Sequence, residues 1–371
     1  NRPIALASGM GINAIVAYTL CLGGASVDWR VAMAIVFLEG LVILVLVACG
    51  LRKAVMDAIP VSLRHAIGIG IGLFIAFIGL KGGGVIVANE STILGLGDLS
   101  SPVAIVSLVA IAIAVILQVL NVKGGLLISI IVATIVGIPL GVTQLPTSWN
   151  FGLDFSAFAA PFQTIPGTDT MAIVQVFLQP ALLLFVFSLL MSDFFDTMGT
   201  VVAVGEQADF VDEKGDVADI QPILLVDSAA AAVGGFMGAS SVTSFVESTS
   251  GAAAGARTGL SNVVVGILFV VFAFAAPIVG MVSSSATCGA LVVVGYLMLS
   301  DVINIDWTRI EFAFPAFATI MGIPMTYSIT NGIGFGFISY CVIMLVTGKA
   351  REVKPLMWVA AIAFLAMFIL S

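Results

Sequence analysis

Apolar runs of about helix length recur along almost the whole chain. A helix needs about 20 mostly apolar residues to cross the hydrocarbon core of a bilayer. The runs that approach this length are 3–26, 31–49, 64–80, 101–120, 124–142, 172–200, 222–238, 240–256, 258–278, 284–300, 308–325, 328–347 and 355–370. The pattern predicts an all-α polytopic membrane protein, with residues 1–371 forming a single transmembrane domain.

The composition excludes most soluble classes of protein. Hydrophobic residues make up 60% of the chain and charged residues only 9%, whereas a soluble domain carries about 25% charged residues. Such a surface faces lipid, so we expect a multi-pass protein of the inner (plasma) membrane. No basic stripe indicates nucleic-acid binding.

The sequence offers no signature of an enzyme or of a cofactor or metal site. It contains no P-loop, no HExxH and no GxSxG motif. The four cysteines lack metal-ligand or disulfide spacing, and we expect them to be small buried hydrophobes: Cys21, Cys49, Cys288 and Cys341. We therefore predict neither a cofactor nor a metal.

The positive charges predict an orientation. If each segment through 328–347 crosses once and the loop 50–63 is cytoplasmic, every Lys and Arg except Arg30 and Lys81 falls on the cytoplasmic side. The positive-inside rule describes this bias. The acidic connection 205–221 is then cytoplasmic and the connection 143–171 lies outside.

Two segments, 3–26 and 240–256, mix small residues, hydroxyls and one strongly polar side chain at membrane depth. Irregular backbone is tolerated there only where protein or a cavity covers it. One such segment in each half indicates an inverted-repeat transporter with its binding site between them. We expect seven plus seven segments: an incomplete first repeat over 1–142 that lacks its first two helices, and a second repeat over 172–347. The run 355–370 is an extra segment that either crosses or lies in the interface.

The stretch Ser192–Thr200 concentrates acids after an apolar run. On a helix Asp193 and Asp196 lie three residues apart and share a face. Two carboxylates this close in a low dielectric do not both ionise easily, so the pair is a candidate proton acceptor. The alternative is that the cluster caps a helix end in water.

Glu247 and Asn13 are the other candidates for ligand binding. The carboxylate of Glu247 can accept two N–H donors from the edge of a planar base, and Phe245 can offer an aromatic face beside it. The amide of Asn13 offers a donor and an acceptor. The alternatives are that Glu247 bonds only neighbouring hydroxyls and that Asn13 satisfies loose backbone groups. Glu39, alone in 31–49, is either functional or near an interface.

These residues resemble a known family, the AzgA-like hypoxanthine/guanine/adenine permeases of the nucleobase–ascorbate transporter superfamily. The resemblance covers nearly the whole chain. Its motifs are Pro3–Ala7 continuing into Gly9–Ala14, Ser192–Thr197, Ser241–Ser248, Arg257–Leu260 and Pro324–Ile329. Ser8 departs from the family, which usually has Pro there, and we expect it to loosen the first strand–helix junction.

The resemblance implies two inverted repeats of seven segments, a core domain that holds substrate and a gate domain beside it. The third and tenth segments of that fold pair a short strand with a helix, and they correspond to 3–26 and 240–256. The implied substrate-binding residues are Asn13, Asp193, Phe245, Val246 and Glu247, and Asp196 is a nearby functional carboxylate. From the acids themselves we predict that the proton-coupling residues are Asp193, Asp196 and Glu247. Related uracil permeases have Tyr-Gly-Glu at 245–247.

The expected function is import of purine bases by proton symport, without covalent chemistry; a homodimer is left open. The first alternative is another solute on the same fold, namely uracil, xanthine or an inorganic anion. An anion carrier should place positive charge at its site, whereas this site is acidic. The second alternative is a membrane enzyme or a channel.

Overall fold

The computed structural model describes residues 1–22, 26–50, 58–146, 154–210, 217–245, 247–253 and 255–370. Helices dominate this part of the chain, and six of them are long and apolar enough to cross a membrane: Trp29–Ala48, Val61–Gly82, Pro102–Val119, Pro180–Met198, Ile220–Met237 and Ser284–Asn304. These helices confirm the predicted polytopic, helical class.

The first half of the chain begins with a broken segment and continues with long helices. Its elements are β1 (Leu6–Ser8), α1 (Met10–Ala14), a π-helix (Ile15–Cys21), α2 (Trp29–Ala48), α3 (Val61–Gly82), β2 (Ile86–Asn89), β3 (Ile93–Leu96), α4 (Pro102–Val119) and α5 (Gly125–Gly137).

The second half follows a short 3₁₀ turn at Ala160–Phe162 and repeats the pattern of long helices around a broken segment. Its elements are α6 (Ala172–Leu178), α7 (Pro180–Gln207), α8 (Ile220–Met237), β4 (Val242–Ser244), α9 (Ser248–Ala253), α10 (Leu260–Phe274), α11 (Ala276–Val279), α12 (Ser284–Met298), α13 (Ile310–Met325), α14 (Ile329–Val346) and α15 (Pro355–Leu370), with 3₁₀ turns at Leu299–Asn304 and Ala350–Glu352.

The structure differs from the predicted segments in several places, among them the run 258–278, which is the two helices α10 and α11. The run 172–200 is two helices, because Pro180 restricts the residue before it, and Gln179 takes an extended backbone (φ −118°, ψ 96°) that ends α6. The connection after α3 contains an antiparallel hairpin, β2 with β3. The hairpin was not predicted, since four-residue strands fall below any helix-length window.

The two broken segments meet each other, as their matching composition suggested. β1 pairs with β4 in antiparallel register, Leu6 opposite Ser244 and Ser8 opposite Val242. Each strand is followed by a short helix. Gly9 allows the close approach, since a Cβ there would lie 2.8 Å from Cγ2 of Thr243.

The chain forms two compact units, each built from both halves. The first comprises Asn1–Ile71, Asp154–Asn262 and Asp301–Ser371, and the second Gly72–Leu153 and Val263–Ser300. In the first unit α2 packs closely on α8. In the second unit α12 packs on α4 and α5. The division into sequence repeats 1–142 and 172–347 stays a prediction.

The cysteines and the last segment complete the fold. Cys288 and Cys341 are buried as expected, but Cys21 is only partly buried and Cys49 is exposed, so the prediction was wrong for these two. Cys49 follows the last residue of α2. The run 355–370 is the helix α15, which packs against α14 with ring centroids of Phe337 and Phe364 5.6 Å apart. Whether α15 crosses the membrane stays a prediction.

Candidate substrate site

The acidic cluster Ser192–Thr200 lies inside α7 and not at its end. The alternative of a helix cap in water is therefore excluded. Asp193 and Thr197 are fully buried, with 0% of their surface exposed, whereas Asp196 is only partly buried. The two acids share a helix as predicted, but only Asp196 keeps surface through which a solute could reach it.

Asp227 on α8 joins the acidic helix to β4. One carboxylate oxygen, Oδ2, accepts a hydrogen bond from the hydroxyl of Thr197 at 2.8 Å. The other, Oδ1, accepts from both the backbone N–H and the hydroxyl of Ser244, each at 2.8 Å. The sequence argument missed Asp227, although a lone acid within the apolar run 222–238 was a signal that could have found it.

A second hydrogen bond connects α7 with β4. The hydroxyl oxygens of Thr197 and Thr243 are 2.9 Å apart. Since the single hydrogen of the Thr197 hydroxyl goes to Asp227, Thr243 is the donor in this pair. The acidic face of α7 is therefore fixed on β4 through buried side chains.

The chain leaves β4 directly into the predicted binding stretch. The backbone N–H of Phe245 donates to the carbonyl of Ala5 at 2.9 Å, and the N–H of Ala5 donates to the hydroxyl of Ser248 at 3.0 Å. Phe245 and Glu247 are both partly buried. Val246, also predicted to bind substrate, lies outside the described residues.

Three carboxylates converge here. Those of Glu247 and Asp227 are close enough to act electrostatically on Asp196. The segments α7, α8 and 240–256 contain no Lys or Arg. The local field is therefore negative, and it favours protons and ligands that offer N–H donors.

Asn13 lies at the other end of the β1–β4 pair from Glu247. At about 3.3 Å per residue, the ends of a three-residue strand are about 7 Å apart. The hydroxyl oxygen of Ser8 lies 2.8 Å from both Oδ1 of Asn13 and the carbonyl oxygen of Ala239, and its single hydrogen is donated to one of these acceptors at a time. The junction that Ser8 was expected to loosen thus carries a hydrogen bond from that residue.

Asn13 lines a cavity of about 300 Å³ with Ser8, Val16, Met33, Gly238, Ala239 and Ser240. Ser240 is 9% exposed, and its hydroxyl has no hydrogen-bond partner within the described part of the chain. The cavity lining therefore includes the polar side chains of Ser8, Asn13 and Ser240. That Asn13 binds the same solute molecule as Glu247 stays a prediction.

Glu39 is fully buried in the middle of α2. Oε2 accepts a hydrogen bond from the hydroxyl of Ser241 at 3.4 Å, and the carbonyl of Ser241 accepts the N–H of Gly9 at 3.1 Å. The alternative of a side chain near an interface was wrong. Glu39 therefore contacts the residue before β4 that is bonded to the residue after β1.

A sequence model of a protein family, described as a permease family, matches residues 1–335 of the chain. The chain belongs to the xanthine/uracil permease family. It is 38% identical over 367 residues to a guanine/hypoxanthine permease of Bacillus subtilis, covering 99% of this chain and 81% of the relative. It is 37% identical to an adenine permease of Escherichia coli, covering 98% of this chain and 80% of the relative. These relatives confirm the resemblance to AzgA-like permeases.

The fold is shared with a transporter of very different sequence. The transmembrane domain of a cyanobacterial bicarbonate transporter superposes with a TM-score of 0.63 at 16% identity, covering 89% of this chain and 84% of that domain. This permease therefore has the 7+7 inverted-repeat transporter fold. It is a multi-pass inner-membrane permease and not an enzyme.

Proposed function

We propose that this permease imports purine nucleobases together with protons. The observation that carries the proposal is that Asp227 bonds Thr197, next to Asp196, and Ser244, three residues before Glu247, within segments α7, α8 and 240–256 that contain no Lys or Arg. A purine presents N–H donors along its edges, and a carboxylate is their natural acceptor. The relatives named for guanine, hypoxanthine and adenine transport support the same class of solute.

Glu247 is the proposed anchor of the base. It directly follows the β4 end that Asp227 and Ala5 hold in place, and it is partly exposed. Phe245 offers an apolar face two residues earlier. Asp193 and Asn13 are proposed further contacts, although Asp193 must become accessible when the solute enters.

Proton coupling follows from repulsion among the acids. Several carboxylates that share a low-dielectric site do not all ionise, so one of them takes up a proton readily. We propose that Asp193, Asp196 and Glu247 carry the coupling proton. A base that donates N–H groups to Glu247 changes the charge balance of the cluster, and this links substrate binding to protonation.

An inorganic anion is the runner-up, because the fold is shared with a bicarbonate transporter. The acidic field opposes it, since like charges repel strongly in a low dielectric. Uracil and xanthine also carry N–H donors and belong in the same test.

The test is a binding and uptake panel on the purified, reconstituted chain. Hypoxanthine, guanine or adenine should bind, and vesicles with an imposed inward proton gradient should accumulate the base until a protonophore is added. Binding of bicarbonate but of no purine base would overturn the proposed solute. Accumulation of the base that does not depend on the proton gradient would overturn the proposed coupling.

A further inference from the structure

Asp227 uses its two carboxylate oxygens on two different elements. Oδ2 holds Thr197 of α7, and Oδ1 holds Ser244 of β4, all at 2.8 Å. Asp196 directly precedes Thr197, and Glu247 follows Ser244 by three residues. The carboxylate of Asp227 is therefore bonded to one residue close in sequence to each of the two partly buried acids of the proposed site.

The three bonded residues are buried in this conformation. Asp227 and Thr197 have 0% of their surface exposed and Ser244 has 2%. Asp196 and Glu247, in contrast, are only partly buried. We therefore expect Asp227, Thr197 and Ser244 to affect binding through the positions of the two partly buried acids, Asp196 and Glu247.

We propose that Asp227 is a positioning residue that sets the separation of Asp196 and Glu247. This inference rests on the proposed function. Three hydrogen bonds converge on this side chain, one from α7 and two from β4. They fix α7 against β4, and with it the separation of the two partly buried acids.

The hydrogen bonds of Thr197 to Asp227 and to Thr243 can be removed together without changing volume. Thr197→Val replaces the hydroxyl by a methyl group, and Thr197→Ser keeps the hydroxyl. Thr319→Val is a matched control, because Thr319 is also 0% exposed but its hydroxyl donates to the carbonyl of Pro315 in the same helix at 2.9 Å.

The measurements are the Kd for hypoxanthine of the full chain and the midpoint of thermal unfolding. Thr197→Val should weaken binding about tenfold, which corresponds to about 1.4 kcal/mol. Thr197→Ser and Thr319→Val should bind within about twofold of the parent chain, or about 0.4 kcal/mol. Thr197→Val should lose more thermal stability than Thr319→Val, because it leaves an oxygen of the buried Asp227 carboxylate without its donor. A midpoint of thermal unfolding well above the temperature of the binding assay then separates positioning from a general loss of fold.

Three results decide the matter. Unchanged hypoxanthine binding in Thr197→Val, or an equal loss in Thr197→Ser, overturns the inference and leaves the proposed function standing. A parent chain that binds none of the bases overturns the proposed function and the inference with it. If Thr197→Val does not fold, Ser244→Ala removes the hydroxyl bond but keeps the backbone bond to Asp227, and unchanged binding in that variant overturns the inference.

Discussion

Gly40 of α2 packs directly against the backbone of Ala232 on α8. A Cβ at Gly40 would lie 2.7 Å from the Cα of Ala232, a distance that real Cβ atoms do not show. Backbone atoms cannot rotate away as a flexible side chain can. The contact therefore holds together the two helices that carry Glu39 and Asp227.

Gly40→Ala should destabilise the protein because the two helices must separate. Overpacking of a close contact costs about 1–3 kcal/mol. Gly68→Ala in α3 is the matched control, since nothing lies within 4 Å of a Cβ there, and Ala favours a helix over Gly by about 1 kcal/mol. Thermal unfolding of both variants checks this; equal midpoints would mean that the α2–α8 contact yields without cost.

Glu247→Gln should abolish tight purine binding while leaving the fold intact. The change turns one acceptor oxygen into an N–H donor that faces a donor of the base. Losing a charge-assisted bond and leaving a buried group unpaired costs about 2–4 kcal/mol. At about 1.4 kcal/mol per decade, affinity should fall roughly 30- to 1000-fold.

The control for Glu247→Gln is Glu90→Gln, the same substitution at an exposed position in the turn between β2 and β3. Isothermal titration with hypoxanthine measures both variants. If the Glu247→Gln protein binds like the Glu90→Gln protein, Glu247 does not belong to the site.

Asp196→Asn should separate proton coupling from binding. Asp196 is subject to repulsion from Glu247 and Asp227, so we expect it to exchange a proton during transport. Binding should stay within about tenfold, a loss below about 1.4 kcal/mol, while the dependence of uptake on pH flattens. Asp193→Asn should instead weaken binding itself.

Uptake into vesicles with an imposed pH gradient measures this difference, with Asp169→Asn as a control at an exposed loop position. An Asp196→Asn protein that still concentrates purine in proportion to the gradient would show that the coupling proton binds elsewhere. Glu247 would then be the leading candidate.

The orientation predicted from the charges can be tested at two exposed positions. Thr168 lies in the connection 143–171 and Glu352 in the connection 348–354. In a cysteine-free variant, an impermeant maleimide added outside intact cells should label Thr168→Cys but not Glu352→Cys. Labelling of Glu352→Cys but not of Thr168→Cys would show that the orientation in the membrane is the opposite of the predicted one.

The sequence by itself determined the membrane class, the positions of most spans and the two broken segments. Each depends on local composition: a bilayer requires about 20 apolar residues per span, and small and polar residues in 3–26 and 240–256 interrupt that pattern. Glu247, Asp193 and Asp196 were also found locally, since acids in apolar runs stand out. Short features were not predicted from the sequence, as the hairpin β2–β3 and the helix break at Pro180 illustrate.

Only the tertiary structure decided which of these groups meet. Asp227 bonds Thr197 and Ser244 across 30 and 17 residues of chain, and no local pattern specifies such partners. It also placed Asn13 and Glu247 at opposite ends of the β1–β4 pair, where the sequence argument had grouped them. The physical reason is that helix length and hydrophobicity are properties of one segment, whereas hydrogen-bond partners depend on how distant segments pack.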